Sequence, residues 1–334
     1  MKAEKSPPEP DREHGAPHPR ETYGLSGHVQ AELELAKALT GGRLHHAWLI
    51  TGAKGLGKAT LAYRFARVAL GAKTLGPRPL DVSPDDPVSR RVAAQAHPDL
   101  VVLRRGLNER GKPRREITVD EARELGHFFS LAPSEGGMRV AIIDAVDDLN
   151  RNAANAILKT LEEPPARSAL LLVCHAPGAI LPTIRSRCRR LALRPLDDRG
   201  LAEALGPQAQ PALVELAKGR PGKAIALQAQ GVDPTALNLA DAPARIARAQ
   251  ASAVLGPLYD KLGGEPYERL AGVLELAGDW TRTLGTEDAG EAWAEAWSAL
   301  ETLRQEAEGL DMDPKHALAR VIGILDRAAA AKAR

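Results

Sequence analysis

Along the first 195 positions, apolar residues gather in short runs with few polar interruptions. The runs are Ala47-Trp48-Leu49-Ile50-Thr51, Leu100-Val101-Val102-Leu103, Val140-Ala141-Ile142-Ile143, Ala169-Leu170-Leu171-Leu172-Val173 and Leu191-Ala192-Leu193. Runs without polar alternation predict strands covered on both faces, the mark of a parallel sheet. Helical stripes separate them. Leu61, Phe65, Val68 and Ala69 fall at i, i+4, i+7 and i+8, one face of a helix. Further helices are predicted over about 27–38, 119–129, 151–161 (stopped by Pro164-Pro165) and 181–184. Strands alternating with helices predict an α/β layer fold. Residues 71–96 hold Pro77, Pro79, Pro84 and Pro87 and read as a loop.

From about residue 196 no further strand is predicted. Helices are expected over about 199–205, 211–217 and 223–230, and the Ala/Leu-rich stretch 242–332 reads as helical throughout. Trp293, Trp297, Leu300 and Leu303 lie at helical spacing and are expected to pack in a core; Asp313-Pro314 reads as an N-cap followed by proline in the first turn. At the other end, residues 1–22 carry Pro7, Pro8, Pro10, Pro17 and Pro19 without hydrophobic period and read as a disordered tail. The expected division is a tail over 1–22, an α/β domain over 23–195, a small helical domain over 196–240 and a helical domain over 241–334.

Composition narrows the classes. Of 334 residues 44% are hydrophobic but only 3% aromatic, so the core is built from aliphatic residues and alanine. The net charge of +2 excludes a globally basic nucleic-acid coat. Two cysteines, Cys174 and Cys188, exclude a disulfide framework and a four-thiolate zinc site. No apolar run reaches the ~20 residues of a membrane span, and the N-terminus lacks the apolar core of a secretion signal. The expected address is the cytoplasm.

Three features carry chemistry. Gly52-Ala53-Lys54-Gly55-Leu56-Gly57-Lys58, between a predicted strand and helix, matches the first seven positions of a phosphate-binding loop. Its glycines let successive backbone N–H groups face one concavity, the helix N-terminus favours anions, and Lys58 adds a full charge. The eighth position, where a hydroxyl holds Mg²⁺, is Ala59; Thr60 comes one residue later, rotated ~100° around the helix. Asp144 ends a predicted buried strand, where a metal-coordinating acid belongs. The following position, which carries a water-polarising Glu in hydrolysing enzymes of this kind, is Ala145. Asp147 and Asp148 are expected to cap the next helix. Two independent losses predict weak hydrolysis or none, with an impaired Mg²⁺ site. The third feature is Ser186-Arg187-Cys188, an arginine in a loop that is either a solvated charge or, in an oligomer, a finger reaching a neighbour's phosphate.

His45-His46-Ala47, His97-Pro98-Asp99-Leu100, the stretch from Ile142 through Asn150 and Ala154 to Pro165, and Ser186-Arg187-Cys188 together resemble the clamp-loader AAA+ family of bacterial DNA polymerase III. The resemblance covers about residues 23–230. It implies an α/β RecA-like AAA+ module, a small helical lid and an all-α collar that assembles a ring. Motor members keep the Ser/Thr after the loop lysine and an acidic pair at the strand end; Ala59 and Ala145 place this chain in the non-motor branch. The resemblance then implies an accessory subunit of a nucleotidyltransferase complex, with Arg187 as an arginine finger acting in trans. Gly52, Gly55, Gly57, Lys58, Ala59, Thr60, Asp144 and the lid's Lys223 would form the nucleotide site for ATP or ADP. Lys223 stands where arginine is commoner, and Cys174-His175 where a hydroxyl or amide sensor is usual. No zinc is expected, because residues 71–96 lack the cysteines that many relatives carry there. Implied partners are the gamma/tau and delta subunits, a sliding clamp and primer–template DNA, with no membrane. Two readings stay beside this one: an autonomous ATPase using Thr60 and Asp147, and a nucleic-acid module using the six basic residues between Arg104 and Arg115. The bland reading of that stretch is a solvated loop.

Overall fold

The computed structural model describes residues 9–332 except 14, 43, 110, 112, 113, 115, 179, 230–240, 263–265, 286–289, 310 and 311. The described chain divides into two compact units, 1–224 and 225–334. The first holds a five-stranded sheet in the order β2-β3-β4-β1-β5, with β1 Ala47–Thr51, β2 Leu100–Arg104, β3 Arg139–Asp144, β4 Ser168–Cys174 and β5 Arg189–Ala192. All pairings are parallel. Its helices are α1 Val29–Thr40, α2 Lys58–Ala69, α3 Pro87–Ala93, α4 Val119–Ser130, α5 Arg151–Glu162, α6 Pro182–Arg185, α7 Asp198–Leu205, α8 Pro211–Ala217 and α9 Pro221–Ala229, the last crossing the boundary between the units.

Strand alternation sends side chains to two cores. Trp48, Ile50, Val140, Ile142, Leu171 and Val173 pack with Leu35, Leu61 and Phe65 on one face. Ala47, Leu49, Ala141, Ile143, Leu170 and Leu172 pack with Leu125, Ile157 and Ile184 on the other. The apolar runs of the sequence are therefore strands covered on both sides. Capping fixes where the helices begin. Thr118 and Glu121 form a reciprocal capping box at α4, and Asn150 accepts from the Ala153 N–H at α5. Asp99, in the His97-Pro98-Asp99-Leu100 motif, accepts from the Ser134 and Glu135 N–H groups at 2.8 and 3.1 Å. That motif locks the turn before β3.

The second unit is helical: α10 Ala242–Ile246, α11 Ala251–Lys261, α12 Pro266–Gly285, α13 Gly290–Gly309 and α14 Pro314–Lys332. Trp293 is fully buried, as helical spacing predicted, but Trp297 is 38% exposed. Four residues at ~100° each advance ~400°, about 40° past a full turn, so the i+4 position drifts to the edge of the stripe. Among the described residues no helix is long and apolar enough to cross a membrane.

Three expectations need correction. The stretch 71–96 is not all loop: Asp86 accepts from the Val88 and Ser89 N–H groups and starts α3, with Pro87 in its first turn. An Asp-Pro pair is a helix start, a signal outweighed in the sequence by the neighbouring prolines. β5 begins at Arg189 rather than Leu191, because this edge strand pairs through its backbone with β1 while its arginines face outward. Finally, the expected tail is packed from residue 9 onward, with the side chains of Asp11 and His18 buried. Charge contacts with the α/β unit replace the missing hydrophobic period. The expected small helical domain over 196–240 straddles the boundary between the units, and 230–240 lies outside the described residues.

Candidate functional site

The phosphate loop joins β1 to α2. Gly52, Gly55 and Gly57 have φ of +147°, +84° and +85°, values that side-chain-bearing residues rarely adopt. Space also demands glycine: a Cβ on Gly57 would stand 2.6 Å from Leu25 Cδ1, and one on Gly55 would stand 2.9 Å from the Lys223 backbone nitrogen. The Gly222 N–H donates to the Gly55 carbonyl at 2.9 Å. The start of α9 therefore rests on the loop, with the Lys223 backbone beside Gly55.

Lys58 is 3% exposed and turns back into its own loop, its Nζ donating to the Gly52 and Ala53 carbonyls at 2.7 Å each. Burial lowers its pKa to about 8, against the opposing pull of Asp144 and Asp147. Asp144 ends β3 and is 9% exposed. Burial, with Asp11 adding to it, raises its carboxyl to about 7 although Lys58 opposes the rise. A buried lysine and a buried strand-end acid thus share one crevice at the carboxyl ends of the strands, where open parallel sheets take ligands. The glycine concavity and Lys58 fit a phosphate. Ala59 offers no oxygen, and Thr60 is buried in α2.

Asp147 and Asp148 do not cap α5; Asn150 does. Asp147 Oδ1 accepts from the His175 N–H at 2.9 Å, and Asp148 pairs with Arg105 Nε at 3.2 Å. At the end of β4, burial pushes the Cys174 thiol up to about 12 and His175 down to about 3. Both are neutral at pH 7 and add no charge to the crevice. Of the basic stretch, Arg104 pairs with Asp11, while Arg110, Lys112 and Arg115 lie outside the described residues.

Arg187 lies between α6 and β5. Its Nη2 meets Glu162 Oε1 at 2.8 Å, its Nη1 donates to the Thr183 carbonyl at 3.0 Å, and its side chain is 35% exposed. The parallel register of β5 with β1 places Arg189 beside Trp48 and Ala192 beside Thr51. Arg187 thus stands at the amino edge of the sheet, whereas the phosphate loop leaves the carboxyl edge. The four residues from Trp48 to Gly52 alone put about 13 Å between them along the strand. Sequence reasoning missed Glu162, Asp11 and Glu13. Their partners are 25, 93 and 41 positions away, so no local spacing exposes them.

A parallel sheet with a glycine loop after β1, a strand-end acid on β3 and a basic helix N-terminus on the loop defines a RecA-like, phosphate-loop module of the AAA+ class. Residues 27–197 match the family described as DNA polymerase III, delta subunit. A DNA polymerase III subunit delta' from Pseudomonas aeruginosa is 33% identical over 72% of this chain and 72% of its own length. The DNA polymerase III subunit tau of Escherichia coli is 30% identical over 68% of this chain, which spans 34% of that protein. A gamma subunit-related protein from Thermotoga maritima superposes over 89% of this chain with a TM-score of 0.48 and 16% identity. The chain belongs to the DNA polymerase III delta' family.

Proposed function

We propose that this chain is a clamp-loader subunit that works on a neighbour's nucleotide: it lends Arg187 in trans to a gamma/tau-type motor subunit and hydrolyses little or no ATP itself. The observation that carries the reading is the position of Arg187. It is solvent-accessible at the amino edge of the sheet, remote from the chain's own phosphate loop, and held among the described residues by a half-exposed carboxylate and one carbonyl. A guanidinium so placed serves another molecule's site. Arginine fingers of this kind contribute ~10³–10⁵ in rate.

The chain's own crevice supports the second half. The loop N–H groups, Lys58 and, from α9, Lys223 would bind the phosphates of ATP or ADP and hold them in place. A metal ion in such sites neutralises charge on the β- and γ-oxygens; here Asp144 is the one residue at the expected ligand positions with an oxygen to offer, since position 59 is alanine. Ala145, buried beside it, cannot orient water. An autonomous ATPase would need Thr60 and Asp147 at a metal, but Thr60 is buried in α2 and Asp147 is engaged by the His175 backbone. The reading includes a lid over 196–240, a ring-forming collar over 241–334, delta, a sliding clamp and primer–template DNA as partners, and a cytoplasmic address.

The test is reconstitution of the loader with motor subunits, delta and either the natural chain or Arg187→Ala. The variant is expected to assemble with unchanged stoichiometry by native mass and to lose at least about 10-fold of the DNA-stimulated ATPase. Unchanged turnover removes the finger. Steady hydrolysis by the isolated chain, abolished by Lys58→Ala, would establish the autonomous enzyme instead.

A further inference from the structure

The segment preceding α1 plays no part in that function, yet charge contacts join it to three borders of the phosphate crevice. On the α2 side, Arg67 donates to the Arg20 and Thr22 carbonyls, and its guanidinium lies 4.2 Å from the Tyr23 ring centroid. The chain then passes His18, fully buried with its ring in a T-shaped contact with Tyr63 of α2. His18 Nε2 lies 3.1 Å from Asp11 Oδ2. Asp11 also receives Arg104 Nη1 on both oxygens at 2.9 and 3.0 Å, and Arg104 ends β2 in register with Asp144. The Pro10 carbonyl accepts from Arg105 at 3.4 Å, the same arginine that pairs with Asp148 beyond β3. Glu13 Oε2 stands 3.5 Å from Lys54 Nζ, on the phosphate loop itself.

We propose that residues 9–13 and 15–22 form an internal strap that competes with nucleotide for the phosphate side of this crevice. Glu13 takes the cation that a phosphate would meet on the loop. Asp11, buried and ion-paired, sets a second negative charge beside Asp144. Burial alone would raise the Asp11 carboxyl, but His18 and Arg104 outweigh it and hold its pKa below the ordinary value. A polyphosphate entering the loop therefore competes with Glu13 for Lys54, and it does so beside Asp144 and the Asp11 carboxylate that Arg104 pairs. The two contacts differ in kind. Asp11 is an anchor under the surface, whereas Glu13 and Lys54 are exposed enough to exchange with solvent. Nucleotide can displace the tip by breaking one exposed pair, but full access requires the anchor to leave. This inference stands whether or not Arg187 acts in trans.

Titration of the isolated full chain with a fluorescent ATP analogue tests it. Removing residues 1–22 is expected to tighten binding about 10-fold, and Glu13→Gln about 2- to 3-fold. Lys58→Ala in the shortened chain should cancel the gain, showing that it arises at the loop. A shortened chain that melts cooperatively but binds no better than the full chain overturns the proposal. Hydrogen exchange on the full chain gives a second reading that needs no deletion. Saturating analogue should speed exchange of the backbone amides of residues 15–22, and unchanged protection with analogue bound overturns the strap. Neither readout involves a neighbour's turnover, so failure here and failure of the finger are separable.

Discussion

The phosphate loop and the Arg187 loop border the same sheet at opposite edges, and they are built in opposite ways. The first turns inward: Lys58 donates to its own loop carbonyls, Asp144 is buried, and the start of α9 rests on Gly55. The second turns outward: Arg187 keeps a third of its side-chain surface in solvent, and its carboxylate partner Glu162 is nearly half exposed. A buried ionisable group is costly, so it is neutralised or folded onto nearby dipoles. An exposed ion pair is cheap to form and cheap to break. The difference separates a loop whose charges are turned inward from one whose guanidinium stays at the solvent.

Arg187→Lys should break the contrast most severely. In a reconstituted loader it should cost nearly as much turnover as alanine, at least about 10-fold, because a lysine cannot present a planar fork to phosphate oxygens. The isolated chain's melting temperature should stay unchanged. Next in size is Asp144→Asn. Its folded-state pKa of about 7 lies above the unfolded value of 3.8, so the native state binds the extra proton between those values. The stability penalty is absent at the acid end and complete above pH 7. The amide should therefore raise unfolding free energy by about 1–3 kcal/mol at pH 8, with the gain shrinking toward pH 4 in denaturant titrations; a gain that grows toward acid would refute the assignment. Smaller still, nucleotide affinity should fall about 10-fold between pH 7 and pH 9 as Lys58 loses its proton near pH 8, and Lys58→Arg should flatten that profile. Least affected should be stability in Glu162→Gln, within about 0.5 kcal/mol; a larger loss would mean that Arg187 is locked to its own chain.

The strands, the glycine loop after β1, the alternation of elements and the alanines at 59 and 145 were all legible in the amino-acid order. They depend on local patterns: apolar runs, glycines at fixed spacing, and residue identity at positions 59 and 145. Helix α3 was locally signalled by Asp86-Pro87 but hidden among other prolines. The roles of Asp147 and Asp148 were misread because the sequence offers several capping acids in a row, and only the backbone shows that Asn150 reaches the first N–H groups of α5. The docking of residues 9–13 and 15–22 was invisible. It rests on Asp11 meeting Arg104, Glu13 meeting Lys54 and Arg67 meeting the Arg20 and Thr22 carbonyls, all long-range pairs with no hydrophobic period to announce them.

By itself, then, the chain's order of residues determined a doubly covered parallel sheet with a glycine loop after β1 and alanine at positions 59 and 145, since short-range sterics and burial fix such features wherever the segments lie in space. Only the tertiary structure decided that Arg187 points away from the chain's own crevice, that Glu162 is its partner, and that an apparent tail lies against the phosphate loop. Those are facts of strand register and of charges brought together across many tens of residues, and ion pairing has no periodicity for a sequence to display.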